Sequence, residues 1–205
     1  MIDKNSNKFA EFVGILLGDG SLSKYVKSNH YRLQITLDSR EKEYIKYISR
    51  LIRELFKMNP IVKFRKKENA VDVQIFNRKI IRELNEKIGL QYSPKWNRAR
   101  IPCLYKSKGL EKNVLRGYFD TDGCVVLTDN NGTVYPRLEM KICPSPMQKQ
   151  FIDILKRNNF KFGIYNIGKG KVRIQLNGKK QLKKWKEMIG FNNPRHTNKI
   201  KEIIS

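Results

Sequence analysis

The chain has 205 residues, and its 43 Lys and Arg against 19 Asp and Glu leave a net charge of +24, a self-repulsion that points to a polyanionic partner. A hydrophobic share of 40% and an aromatic share of 10% exclude a disordered basic tail, which lacks the apolar side chains that offset chain ordering. No apolar run approaches the ~18 residues of a membrane span, and the opening MIDKNSNKFAEF has no signal-peptide core, so a cytoplasmic protein with no membrane partner is expected.

In chain order, Phe9, Phe12, Val13, Leu16 and Leu17 recur at helical spacing and run into Gly18-Asp19-Gly20, which predicts a helix over 6–18. Leu33, Ile35 and Leu37 alternate with Arg32, Gln34 and Thr36; beyond a helix at 40–57, Val71, Val73 and Ile75 alternate with Asp72, Gln74 and Phe76. Both read as strands with one apolar and one polar face. Lys66-Lys67-Glu68-Asn69 reads as a hairpin tip and 80–88 as a closing helix. Residues 91–107 (QYSPKWNRARIPCLYKS), with two prolines and several charges, read as a linker between units 1–90 and 108–205. In the second unit Gly168-Lys169-Gly170 is a hairpin tip, 182–189 a closing helix, and Asn193-Pro194-Arg195-His196 a cap or short tail. Cys103, Cys124 and Cys143, odd in number and without CxxC spacing, suggest neither disulfides nor zinc and read as small buried hydrophobes.

The two units repeat each other. FVGILLGDGSL (12–22) and LRGYFDTDGCV (115–125) share one pattern, with Asp19 and Asp122 103 residues apart. YRLQITLDSREKEYIKYI (31–48) resembles PRLEMKICPSPMQKQFIDIL (136–155), which aligns Gln34 with Lys141. VDVQIFNRKIIRELNEKIGL (71–90) resembles VRIQLNGKKQLKKWKEMIGF (172–191), with Ile88-Gly89-Leu90 on Ile189-Gly190-Phe191. The predicted order is αββαββα, twice.

Gly14-x-x-x-Gly18 and Gly117-x-x-x-Thr121 each present a flat helical strip where a second backbone can approach closely. Pairing these strips brings Asp19 and Asp122 side by side at two helix C-termini, where they face the negative ends of the dipoles and repel each other. A single Asp-Gly after a helix is usually a turn; two at matched positions reverse that expectation. A Lys or Arg could offset the charge, but a hard divalent cation suits paired carboxylates better, and Mg²⁺ also coordinates phosphate oxygens.

FVGILLGDG and LRGYFDTDG resemble the two signature motifs of the LAGLIDADG homing endonucleases, in the monomeric form that carries both copies on one chain. The likeness extends through IPCLYKSKGLEKNVLRGYFDTDG and the closing IGFNNPRH. It implies an α+β fold: two pseudosymmetric αββαββα units packed through the motif helices, with saddle-shaped antiparallel sheets facing DNA. It further implies site-specific double-strand cleavage by phosphodiester hydrolysis with Mg²⁺ or Mn²⁺, the metal being held by Asp19 and Asp122 with the Gly18 and Thr121 carbonyls as added ligands. Lys141 and its repeat-mate Gln34 are candidates to complete the catalytic pocket, or else contact phosphate. Leu17 stands where the family often has Asp, and Asp120 is expected to be structural or solvated. His30 and His196 match no nucleophile triad and read as surface residues.

The polar strand faces carry a reading vocabulary: Arg32, Gln34, Thr36, Lys63, Arg65, Asp72 and Gln74 in one unit, and Arg137, Glu139, Lys141, Lys161, Tyr165, Arg173 and Gln175 in the other. Arg reads guanine, Gln reads adenine, and Asp or Glu accepts from cytosine. Two four-stranded sheets, each about 20 Å across, cover well over ten base pairs at about 3.4 Å each. The halves differ (Arg32 against Glu139, Asp72 against Arg173), so an asymmetric double-stranded target and a functional monomer are expected. Lysines at 66–67, 106–112 and 179–186 are expected to touch or attract phosphates. The rival readings are a non-cleaving nucleic-acid binder on the same scaffold, such as an intron RNA maturase or transcription regulator, and a plain basic chromatin-type protein, which leaves the paired motifs unexplained. The Met-Ile opening and Ile-Ile-Ser ending favour a free-standing or intron-encoded protein over a complete intein; an organellar intron would place it in the organelle matrix.

Overall fold

The computed structural model describes residues 3–25, 30–201 and 203. Ser6 opens the first helix, α1 (Asn7–Leu17), by accepting the Phe9 amide N–H at 3.2 Å, which satisfies one of the donors a helix start leaves free. The first unit continues with β1 (Gly20–Tyr25), β2 (His30–Asp38), α2 (Lys42–Phe56), β3 (Ile61–Phe64), β4 (Ala70–Ile75) and α3 (Arg78–Glu86). A short helix α4 (Cys103–Ser107) precedes the second unit, α5 (Glu111–Asp122), β5 (Gly123–Asn130), β6 (Thr133–Ile142), α6 (Pro146–Arg157), β7 (Gly163–Asn166), β8 (Val172–Asn177) and α7 (Lys179–Met188), and α8 (Pro194–Ile200) follows it.

Each unit forms one antiparallel four-stranded sheet, ordered β1-β2-β4-β3 and β5-β6-β8-β7. Gln34 lies opposite Gln74 and Thr36 opposite Asp72; in the second sheet Glu139 faces Gln175 and Lys141 faces Arg173. Because side chains alternate between faces, these polar residues share one face while Leu33, Ile35, Val73, Leu138, Met140 and Ile174 point into the core. Helices α2, α3 and α7 pack against the apolar faces, and Phe9, Phe12 and Phe56 in one unit and Phe119, Trp185 and Phe191 in the other join a continuous cluster.

Three sequence expectations are corrected. Cys103, Cys124 and Cys143 are exposed rather than buried; strand alternation sends Val125 inward and puts Cys124 on the polar face opposite Glu139. His196 is not a surface residue: it is 1% exposed in α8, its ring 5.0 Å from that of Phe119 and 5.6 Å from that of Phe191. The stretch from 193 is a helix, capped by the Asn193 side chain, which accepts the Arg195 amide, and it is built into the centre of the molecule rather than hanging as a tail.

Candidate functional site

The centre of the molecule is the contact between α1 and α5, the most extensive between any two helices. Its closeness comes from glycine. A methyl group at Gly14 would lie 2.0 Å from the Val114 carbonyl oxygen, and one at Gly117 would lie 2.0 Å from the Glu11 carbonyl oxygen. Glu11 and Val114 are repeat-mates, as are Gly14 and Gly117, so each pair exchanges roles across a pseudo-twofold axis, as an isologous interface requires. At the far end a methyl on Gly18 would stand 2.1 Å from Thr121 Oγ1 and 2.8 Å from Asp122 Oδ2. Gly18 therefore leaves room for the Thr121 hydroxyl, which donates back to the Tyr118 carbonyl at 2.9 Å. The two small-residue strips meet as the sequence predicts.

This packing sets Asp19 and Asp122 at adjoining helix ends. Burial pushes the Asp19 carboxyl up to about 7, and the Asp122 charge adds to the shift. Asp122 is raised to about 6 by burial at its base, with Lys95 and Arg195 opposing; its outer side is exposed, and water there moderates the shift. Two basic side chains close the arrangement from below. Lys95 Nζ donates to the carbonyls of Leu16, Leu17 and Gly18 at 2.7, 2.9 and 2.9 Å, spending all three ammonium donors on the negative end of α1. Burial pulls its pKa down to about 8 against the pull of Asp122 and Asp19. Arg195 Nη2 reaches the carbonyls of Thr121 and Gly123, both at 3.2 Å, and so caps α5.

Lys95 and Arg195 are the residues that sequence reasoning missed. Both follow a closing helix in a related phrase, Ile-Gly-Leu-x-x-Ser-Pro-Lys in the first unit and Ile-Gly-Phe-x-Asn-Pro-Arg in the second. One extra residue in the first copy breaks the alignment just where the signal lay. The segment read as a linker thus carries the cation of the first helix end, and its Asn97 amide donates to the Pro144 carbonyl of the second unit at 2.7 Å.

A buried polar cluster stitches the units together behind the aspartates. Glu11, 1% exposed, pairs with Arg116 and accepts from Tyr47 at 2.6 Å and Asn192 at 2.7 Å. Asn192 also donates its backbone N–H to Asp120 at 2.8 Å, while Arg195 Nη1 pairs with Glu41 at 2.6 Å. Asp120 is fully buried and raised to about 8, first by burial; it is structural, not solvated.

The predicted reading residues divide into two kinds. Arg32, Lys63, Lys141, Arg137, Tyr165, Arg173 and Gln175 are exposed or half-exposed on the polar faces, with Arg32 and Arg173 lying over the rings of Tyr25 and Tyr165. Asp72 and Gln74 are only 6% and 8% exposed, locked with Gln34, Thr36 and Arg65 in one hydrogen-bond network. Glu139 lies between Arg137 at 2.6 Å and Arg173 at 3.9 Å. Lys161 precedes β7 instead of lying in it, its amide held by Gln181 of α7 at 2.9 Å. The expected pairing of Gln34 with Lys141 is corrected by the strand register, which sets Gln34 in the place of Glu139 and Thr36 in the place of Lys141; Gln34 spends its amide on neighbours while Lys141 is exposed, held through its carbonyl by the Tyr118 hydroxyl at 2.8 Å.

Among the described residues no three His, Cys, Asp or Glu side chains come together as a metal cage. Two carboxylates raised by burial, Asp19 further by the Asp122 charge, are nonetheless a fit for Mg²⁺, which takes one or two protein carboxylates and leaves positions for water and phosphate. The Gly18 and Thr121 carbonyls already accept from Lys95 and Arg195; each keeps a second lone pair. No helix among the described residues is long and apolar enough to cross a membrane.

A sequence model described as the LAGLIDADG DNA endonuclease family matches residues 10–183. The chain is 26% identical over 208 residues to the replication factor C small subunit of Methanocaldococcus jannaschii, covering 97% of the chain and 10% of that protein. It is 26% identical over 220 residues to a DNA polymerase of the same organism, covering 95% and 12%. The chain thus spans about a tenth of the length of these curated relatives. Among solved structures, the meganuclease I-AabMI bound to uncleaved DNA superposes with a TM-score of 0.65 at 10% identity, over 95% of this chain and 90% of that one. I-DmoI in complex with DNA and Mn gives 0.61 at 16% identity, over 91% and 97%.

Proposed function

The chain belongs to the LAGLIDADG DNA endonuclease family, and from that premise we propose that it is a homing endonuclease: a monomer that cuts both strands of a long, asymmetric DNA site by metal-dependent hydrolysis. The observation that carries the reading is the meeting of Asp19 and Asp122 at two glycine-packed helix ends, between two polar sheet faces. A binding protein gains nothing from bringing two carboxylates together in a chain of net charge +24, where they repel both each other and phosphate.

Asp19 and Asp122 would hold the divalent ion. When bound, such an ion supplies charge neutralisation on the phosphate and a water of lowered pKa. The chain's own residues do the rest. The sheet faces hold the duplex so that its backbone crosses the aspartates, and Lys95 and Arg195 fix the two helix ends, which makes the carboxylates preset rather than induced. Lys141 stands near the second helix end with its ammonium exposed, able to stabilise charge on the scissile phosphate or the departing oxygen. Raised carboxyl pKa values make the site proton-bound in acid and metal-competent from neutral pH upward.

The test is to select duplexes from a randomised library in Ca²⁺ and then expose the enriched sequence to Mg²⁺. The wild type should linearise a plasmid carrying that site, whereas Asp19→Asn and Asp122→Asn should lose at least about 10³-fold in rate while target affinity stays within about threefold. Absence of cleavage by the wild type, or undiminished cleavage by either variant, would sink the reading.

A further inference from the structure

The first sheet contains an acid engaged by its own neighbours. Asp72 sits on the central strand β4, opposite Thr36 on β2 and Lys63 on β3. Its Oδ1 accepts from Thr36 Oγ1 at 2.8 Å, Arg65 Nη2 at 2.9 Å and Gln34 Nε2 at 3.1 Å, and its Oδ2 accepts from Arg65 Nε at 3.0 Å. Three of these bonds converge on Oδ1 and one on Oδ2, and the residue is only 6% exposed, so the carboxylate is turned to its neighbours rather than to a duplex. Arg65 is engaged as well: its Nε and Nη2 edge, which would fork onto guanine, is bound to Asp72, and one Nη1 hydrogen binds Glu68 at 2.8 Å. Gln34 is oriented at both ends, its amide nitrogen on Thr36 and Asp72 and its oxygen accepting from Gln74 at 2.8 Å.

We propose that Asp72 is a specificity-determining positioning residue, which withholds the Arg65 guanidinium from guanine and from phosphate and presets Thr36, Gln34 and Gln74 as one fixed donor and acceptor pattern. The inference rests on the site-specific reading above and deepens it. Arginine is a strong and tolerant ligand of DNA, bidentate to any guanine in reach and attracted to every phosphate. An arginine whose Nε and Nη2 edge is held by a buried carboxylate contributes selectivity by being withheld, while the neutral amides and hydroxyl beside it discriminate by geometry. The second sheet does not repeat the device: Glu139 touches Arg137 and Arg173 with one short contact and one of 3.9 Å, so its arginines stay freer to read.

The measurement is the ratio of dissociation constants for an unrelated duplex and for the duplex that the wild type enriches, both in Ca²⁺. Asp72→Asn puts an amide N–H against the guanidinium and releases Arg65. Binding to unrelated DNA should tighten, with the salt dependence steeper by about one phosphate contact, and the selectivity ratio should fall between about fivefold and about a hundredfold. Adding Arg65→Gln to Asp72→Asn should return unrelated binding to the wild-type level, which a merely structural role for Asp72 would not do. Unchanged selectivity in Asp72→Asn, or failure of the double variant to reverse the change, overturns the proposal. A measurement without any variant guards against misfolding: the Arg65 Nε–H proton should stay protected from exchange in both the free protein and the target complex, and its loss of protection on target binding would overturn the inference. If the wild type enriches no sequence, the site-specific reading falls and takes this inference with it; enrichment with unaltered selectivity in Asp72→Asn removes only the inference.

Discussion

Ionisation of Asp19 works against the fold. Its folded pKa of about 7 lies above the ordinary 3.8, so between those values the folded protein keeps a proton that the unfolded chain has released. Stability contributed by this group is therefore present in acid and is lost as pH rises toward 7. Asp19→Asn should raise the melting temperature at pH 8 by several degrees and leave it unchanged near pH 4; an equal effect at both values would contradict the assignment. Ca²⁺ should stabilise the wild type at pH 8 and leave an Asp19→Asn, Asp122→Asn double variant unmoved, because a ligand stabilises only the state that binds it. Both aspartates were legible in the sequence because a duplicated Asp-Gly is improbable as a turn alone. Lys95 and Arg195 were not, since a one-residue offset hides their equivalence and lysine is too common in this chain to stand out.

At the scale of elements, the α1 and α5 pair decides where the chemistry can be. A Cβ at either central glycine meets a backbone oxygen, which cannot swing aside as a side chain would. Gly14→Ala and Gly117→Ala should each destabilise the protein by about 3 kcal/mol, the upper range of overpacking, and should weaken cleavage through separation of the aspartates; denaturant unfolding checks the first and plasmid linearisation the second. Gly89→Ala, where no atom lies within 4 Å but φ is +89°, is a control that carries only backbone strain. Strand alternation and hairpin tips were legible from period two and turn residues. Occlusion of Asp72 was not, because alternation assigns a face and says nothing of how far neighbours on that face cover one another.

For the whole molecule, the charge divides between two layers. Lys179, Lys183 and Lys186 are exposed on α7, which buries Leu182 and Trp185 against the second sheet. They therefore lie on the layer opposite the polar face, where a duplex held by the sheets does not reach. Replacing the three together by Gln should leave target affinity within about twofold and the salt slope unchanged, whereas Arg32→Gln with Lys63→Gln should reduce the slope by up to about one unit each; salt-dependent anisotropy titrations separate the two. Of the two roles expected of lysines 179–186, touching or attracting phosphates, their place on α7 fits the second.

What the sequence determined by itself was the duplication, the order of elements, the polarity of each strand face and the two aspartates, because all of these are periodic and survive in a one-dimensional string. Only the tertiary structure decided which charges are available. It placed Lys95 and Arg195 beneath the helix ends, folded the closing His196 segment into the core, and tied Asp72 to Arg65. A net charge of +24 is a sum over residues; whether any one charge meets DNA depends on what it already pairs with, and hydrogen bonds between residues distant in sequence settle that pairing.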